Sequence, residues 1–119
     1  MKGQWLWQRF RYALDGLLYA VRRERSFRTE LLGALFAGGI IFWLHPPLLW
    51  SALLVLMVAL ILAIELVNTA LEELLDGLHP ARAEFVQRAK DCAAAAVLVL
   101  SAASVIVFVL MLLDIGISR

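Results

Sequence analysis

Glu65, Asn68, Glu72 and Asp76 are spaced three, four and four residues apart in a stretch, 65–76, that holds neither proline nor glycine. At about 100° per residue these offsets fall close to whole helical turns, so a helix carries all four side chains in one narrow stripe. Three carboxylates and an amide on one face suit a hard divalent cation, which takes oxygen ligands and completes its coordination with water and phosphate oxygens. Glu65 is set apart by what precedes it, because the seventeen positions 48–64 carry no charge. That run places Glu65 near the edge of a bilayer's hydrocarbon, where an unpaired ionised side chain costs ~2.5–3.5 kcal/mol. Cations or a polar cavity must therefore compensate it. The competing structural reading is an ion-pair network at a helix end, in which Arg82, Arg88 and Lys90 neutralise the acids.

Other residues extend this set. Glu24 closes an N-terminal amphipathic segment, and the chain enters its last apolar run through Arg88-Ala89-Lys90-Asp91. A lysine there can meet phosphate as a point charge, and Asp91 can accept from a ligand hydroxyl or amide. The sequence has no GxxxxGK[ST], no GxGxxG and no HExxH, and no Cys/His cluster, so a bound nucleotide would need a site of another kind. His79-Pro80 reads as a helix stop, and Cys92, alone in an apolar run, reads as a buried thiol.

The elements that position these residues follow from composition. Of 119 residues 63% are hydrophobic and 18% charged, with mean hydropathy +0.85, whereas soluble domains are about 45–50% apolar and about 25% charged. A soluble monomer is excluded, and the length allows one domain. A net charge of +1 gives no reason to expect nucleic acid as a partner. Positions 31–64 and 92–113 contain no Asp, Glu, Lys or Arg, and a span needs about 20 apolar residues. The first run exceeds one helix, and His45-Pro46-Pro47 in its middle forces a turn. The expected fold is all-α, with spans near 27–44, 48–78 and 89–113. Before them, near 5–25, Leu6, Phe10, Leu14 and Leu17 share one helical face and Gln8, Arg11, Asp15 and Arg22 the other, as in an interfacial helix with Trp5, Trp7, Tyr12 and Tyr19 at headgroup depth.

Ten of the eleven basic residues lie before Glu30 or within 82–90, the exception being Arg119. By the positive-inside rule the N-terminus and the 77–90 loop face the cytoplasm, and the His45 turn and the C-terminus lie outside. The N-terminus mixes Trp, Arg and Gln rather than following the order of a secretory signal, so an inner-membrane location is expected.

The pattern ExxN[ST]AxExxxD at 65–76, followed by Ala89-Lys90-Asp91 and an alanine-rich span, resembles the prokaryotic diacylglycerol kinase family, which includes the small undecaprenol kinases. The resemblance covers nearly the whole chain, including Tyr12, Gly16, Glu24 and Phe27-Arg28. It implies a homotrimer of three-span protomers, each with a surface helix, that transfers the γ-phosphate of ATP to a membrane lipid alcohol. Glu65 would be the general base and would meet the lipid hydroxyl, and Glu24 and Glu72 would hold Mg²⁺. Tyr12, Glu24, Asn68, Glu72, Asp76, Lys90 and Asp91 would surround the nucleotide and its metal, while Ser26, Arg28 and Glu30 would contact the lipid head. Two positions depart from the family pattern: Trp5 stands where a basic residue is common, and Asp15 where a lysine or other polar residue is. Arg9 or Arg11, one turn away, could supply the missing charge.

Diacylglycerol is the leading substrate and undecaprenol the alternative, to which the Glu24-Arg25-Ser26-Phe27-Arg28 stretch looks somewhat closer. A non-enzymatic membrane assembly protein and a divalent-cation carrier are the other classes. A carrier needs acids deep in a span or facing both sides, whereas only Asp114 lies away from the cytoplasmic end. The topology has its own test. With Cys92→Ala as background, Pro46→Cys should be labelled by an impermeant thiol reagent on intact spheroplasts, and Ala83→Cys only after permeabilisation. The reverse pattern would separate the acidic stripe from ATP and end the kinase reading.

Overall fold

The computed structural model describes residues 2–79, 81 and 83–118. Pro80, Arg82 and Arg119, which entered the helix-stop and charge arguments, lie outside the described residues. Four helices follow one another: α1 (Lys2–Arg23), α2 (Arg25–Leu44), α3 (Leu48–Leu78) and α4 (Glu84–Ser118). Among the described residues there is no strand. Helices α2, α3 and α4 are long and apolar enough to cross a membrane, so the all-α architecture expected from the charge-free runs is the one observed.

Each helix end has a local cause. Between α1 and α2 only Glu24 is extended, at φ −106° and ψ 111°. There Arg28 reaches back, and its Nη1 donates to the carbonyls of Val21 (2.9 Å) and Arg22 (3.1 Å), satisfying acceptors that the end of α1 leaves open. Phe27 and Ala20, each 1% exposed, close the inside of this corner. At the other end of α2, His45 takes the left-handed conformation at φ 47° and ψ 57°, and its N–H bonds to Ile41 O. This departs from the extended geometry usual before proline, but it reverses the chain within three residues so that α3 starts straight after Pro47. Helix α4 begins at Glu84, ahead of the expected 89, because its polar first turns are good helix in their own right. Glu84 complements the helix dipole and pairs with Arg88 at 3.0 Å, and Gln87 donates to Asp91 at 2.9 Å.

Helix α3 is the central element. It packs against α1, α2 and α4, whereas α4 meets neither α1 nor α2 at backbone distance among the described residues. The apolar core sits at the His45 end, where Leu54, Met111 and Ile115 are buried beneath Ile40, Leu44 and Phe108. Trp50 Nε1 donates to Asp114 Oδ2 at 2.7 Å and ties the start of α3 to the end of α4. Elsewhere large side chains such as Leu32, Leu35, Leu98 and Val99 are exposed, which carries no penalty against lipid tails as apolar as they are. Cys92 follows the same rule: it is exposed rather than buried, because an apolar run in a spanning helix faces lipid as readily as protein. Ala89, Ala93 and Ala96 lie on the half-buried face of α4 together with Val86 and Lys90, so this small-residue stripe is used in packing within one chain.

Candidate functional site

The acidic stripe is real and graded in depth. Because α3 runs unbroken to Leu78, Glu65 and Thr69 are buried at 4% and 6% exposure, Asn68 and Glu72 are half-buried, and Asp76 is exposed. Thr69 satisfies its hydroxyl on its own helix, donating to Glu65 O at 3.0 Å. The Glu65 carboxylate takes a hydrogen bond from another element, since Ser26 Oγ in the first turn of α2 donates to Glu65 Oε2 at 3.2 Å. No basic side chain bonds Glu65 among the described residues, so compensation comes from a hydroxyl rather than from a buried cation.

Next along the stripe, Asn68 Nδ2 donates to Glu72 Oε1 at 3.4 Å. Its Oδ1 is buried and without a partner among the described residues. An orphaned buried acceptor costs ~1–3 kcal/mol unless something meets it, so this amide marks a place for a donor or a cation. Glu24 is half-buried at the α1–α2 corner and makes no capping hydrogen bond to α2, which leaves its oxygens available. Among the described residues no three His, Cys, Asp or Glu side chains gather closely enough to form a metal centre by themselves. Glu72 and the Asn68 amide are nevertheless neighbouring hard oxygen donors on α3, and Glu24 at the corner is another on a different part of the chain. That chemistry fits a cation which takes its remaining ligands from phosphate and water.

At the exposed end of the stripe Lys90 Nζ lies 2.8 Å from Asp76 Oδ1. Part of the ion-pair reading therefore holds, although Arg88 pairs with Glu84 on its own helix and not with the acids of α3. Asp76 and Lys90 line a polar pocket of about 490 Å³ with His79, Gln87 and Glu84. His79 ends α3, its N–H bonding Leu75 O at 2.8 Å while its ring stacks edge-on against Phe85. Asp91 is exposed and engaged with Gln87, Tyr12 is exposed on α1, and no hydrogen bond joins either to Glu65, Asn68 or Glu72 among the described residues. Arg28 is occupied at the carbonyls of α1.

Two features had no counterpart in the sequence reading. Tyr19 donates its hydroxyl to Glu73, latching the surface helix to α3. That bond, ahead of desolvation and of the carboxylate's charge, holds the phenol above its ordinary pKa. No periodicity connects residues so far apart, and Glu73 lies off the acidic stripe. The other is an apolar cavity of about 310 Å³ between α2 and α4, floored by α3 and lined by Ala34, Ala37, Met57, Ile61 and Phe108, with Glu30 at one end. It exists because α2 and α4 each pack on α3 while their backbones stay apart, meeting only through side chains at the His45 end.

These features define a multi-pass helical membrane protein with an acidic site at one end of its bundle. The sequence profile of the family described as prokaryotic diacylglycerol kinase matches residues 11–112. A diacylglycerol kinase of Synechocystis sp. is 38% identical over 99 residues, covering 82% of this chain and 57% of that relative, so the chain spans little more than half of the relative's length. The diacylglycerol kinase of Escherichia coli K12 is 34% identical over 101 residues, 85% of this chain and 83% of its own, and that of Haemophilus influenzae is 34% identical over 89 residues, 75% of each. The chain belongs to the prokaryotic diacylglycerol kinase family and is a lipid kinase.

The Asp76–Lys90 pair can be weighed directly. With side chains 65% and 31% exposed, a double-mutant cycle of Asp76→Asn and Lys90→Met should give a coupling of ~0.2–1 kcal/mol in detergent unfolding, as for other exposed pairs. A coupling several times larger would make the pair a main structural tie between α3 and α4.

Proposed function

We propose that the protein transfers the γ-phosphate of ATP to the hydroxyl of diacylglycerol, giving phosphatidic acid, with Glu65 as general base. The observation that carries this reading is the placement of Glu65. It is buried on α3 at the end of an uncharged run, one turn after Ile61, which with Glu30 lines an apolar cavity, and the hydroxyl of Ser26 is on its carboxylate. An amphiphilic alcohol can lie with its chains in lipid and its hydroxyl at Glu65. In the proposed step Glu65 takes the hydroxyl proton as that oxygen bonds to the γ-phosphorus, the bond to the β–γ bridging oxygen breaks, and ADP leaves. Phosphoryl transfer asks mainly for positioning and charge neutralisation, which suits a site without an activated nucleophile of its own.

The nucleotide would lie along the exposed part of the stripe. Asn68 Oδ1 is free to accept, Lys90 and Asp76 line the polar pocket, and Tyr12 and Asp91 complete the set the family resemblance implies. Glu24 and Glu72 are the residues that would hold Mg²⁺, which when bound neutralises charge on the phosphate oxygens. Ser26, Arg28 and Glu30 form the α2 wall nearest the lipid head, and Arg28 serves there by fixing the corner. We also propose a homotrimer, because one chain does not join Tyr12 or Asp91 to the rest of the set. Location in the inner membrane, with the acidic end cytoplasmic, follows from the basic residues flanking that end.

Assay of purified protein with Mg-ATP against diacylglycerol and undecaprenol distinguishes the substrates; turnover of undecaprenol alone would replace diacylglycerol in this reading, and turnover of neither would end it. Glu65→Gln should keep ATP affinity and lose turnover by about 10²–10⁴-fold, since the amide keeps the shape but takes no proton. Near-normal turnover would remove Glu65 from the role. In Glu24→Gln and Glu72→Gln the magnesium concentration for half-maximal rate should rise, each variant having lost one hard oxygen ligand. An unchanged requirement in both would assign the metal elsewhere.

A further inference from the structure

The hydroxyl of Ser26 deserves a role of its own. A carboxylate's terminal torsion is broad and close to two-fold, so burial alone leaves the plane of the Glu65 oxygens loosely set. A donor on one oxygen fixes that plane. Ser26 Oγ is such a donor at 3.2 Å, and among the described residues it makes the one hydrogen bond to the Glu65 carboxylate, leaving Oε1 open. Ser26 is exposed, and the corner around it sets where it stands. It is the second residue of α2, straight after the extended Glu24, and next to Phe27, which is 1% exposed. Arg28 locks the same turn onto the last carbonyls of α1. Glu65 is fixed from the opposite side by an unbroken helix, with Thr69 bonded to its carbonyl one turn on.

We propose that Ser26 is a positioning residue for Glu65, orienting its carboxylate through Oε2 so that Oε1 faces the alcohol, rather than a contact to the lipid head. The inference rests on the reading of Glu65 as general base. It makes the α1–α2 corner part of the catalytic apparatus, since the corner's geometry sets where the hydroxyl stands. Ser26 exchanges no proton and acts only through the direction in which Glu65 presents its free oxygen.

The test compares Ser26→Ala, Ser26→Thr and Glu65→Gln in the full-length protein with Mg-ATP and dispersed diacylglycerol. Ser26→Ala should lower kcat by about ten-fold, the lower range for loss of a hydrogen bond to a charged group, with KM for lipid and for ATP within about two-fold. Ser26→Thr, which keeps a hydroxyl at the same carbon, should restore kcat, a rescue that a purely packing role would not give. In the Glu65→Gln background Ser26→Ala should add little further loss, because the two residues act as one unit. A rise in lipid KM with kcat preserved would make Ser26 a headgroup contact and overturn the proposal. So would an unchanged kcat, a loss that threonine does not restore, or losses that multiply in the double variant. If Glu65→Gln itself turns over normally, the base reading fails first. A normal Ser26→Ala beside an inactive Glu65→Gln instead removes the positioning role alone.

Discussion

A carboxylate held near the edge of the hydrocarbon is the constraint around which this fold is arranged. Leaving Glu65 ionised and unpaired there is costly, and the common remedy, a buried arginine or lysine, is absent among the described residues. The protein instead brings a second helix to it. That requires the chain to leave α1, turn sharply at Glu24 and start α2 with Ser26 beside α3, and the corner is held by Arg28 on the carbonyls of α1 and by buried Phe27 and Ala20. A neutral hydroxyl suits this place better than a cation. One hydroxyl donates to Oε2 and leaves the other oxygen free.

The rest of the chain keeps its apolar packing away from that end. The buried apolar cluster of Leu54, Met111 and Ile115 and the Trp50–Asp114 hydrogen bond all lie toward the His45 turn, away from Glu65. Helices α2 and α4 are anchored there and diverge around α3, leaving the apolar cavity open between them. A tighter three-helix core would bury more surface but fill the space beside Glu30. With lipid rather than water around the spans, the lost helix contact is replaced by contact with acyl chains, so the open geometry is cheap.

What the sequence disclosed follows the same physical lines. The charge-free runs, the double proline after His45 and the three- and four-residue spacing of Glu65, Asn68, Glu72 and Asp76 are local signals, and the helices and the acidic stripe came from them directly. Helix ends were less legible, because Glu84 with Arg88 and Gln87 with Asp91 stabilise turns that hydropathy alone assigns to a loop. Contacts across the chain were not legible at all. Nothing in the spacing of Ser26 and Glu65, or of Tyr19 and Glu73, indicates that they meet, since each pair joins two helices whose crossing is set by the corner at Glu24. Cys92 shows the reverse error: a rule drawn from water-soluble cores places a thiol inside, and the bilayer removes the reason for it.

The length of α3 explains how a chain of 119 residues can hold such a site. Eleven residues separate Glu65 from Asp76, ~16 Å along a straight helix. Over that distance the environment changes from buried beside an apolar cavity to exposed beside a polar pocket. One rigid helix thereby sets a buried carboxylate and groups facing water at fixed separation, with Asn68 and Glu72 at the half-buried middle between them. No loop has to close and no second domain has to dock to keep that spacing. A reaction that joins an oil-soluble alcohol to a water-soluble phosphate donor needs this ordering of environments before it needs any particular residue. A helix running obliquely out of the hydrocarbon would blur the ordering, and the latch of Tyr19 on Glu73 holds the emerging part of α3 against α1 at the surface.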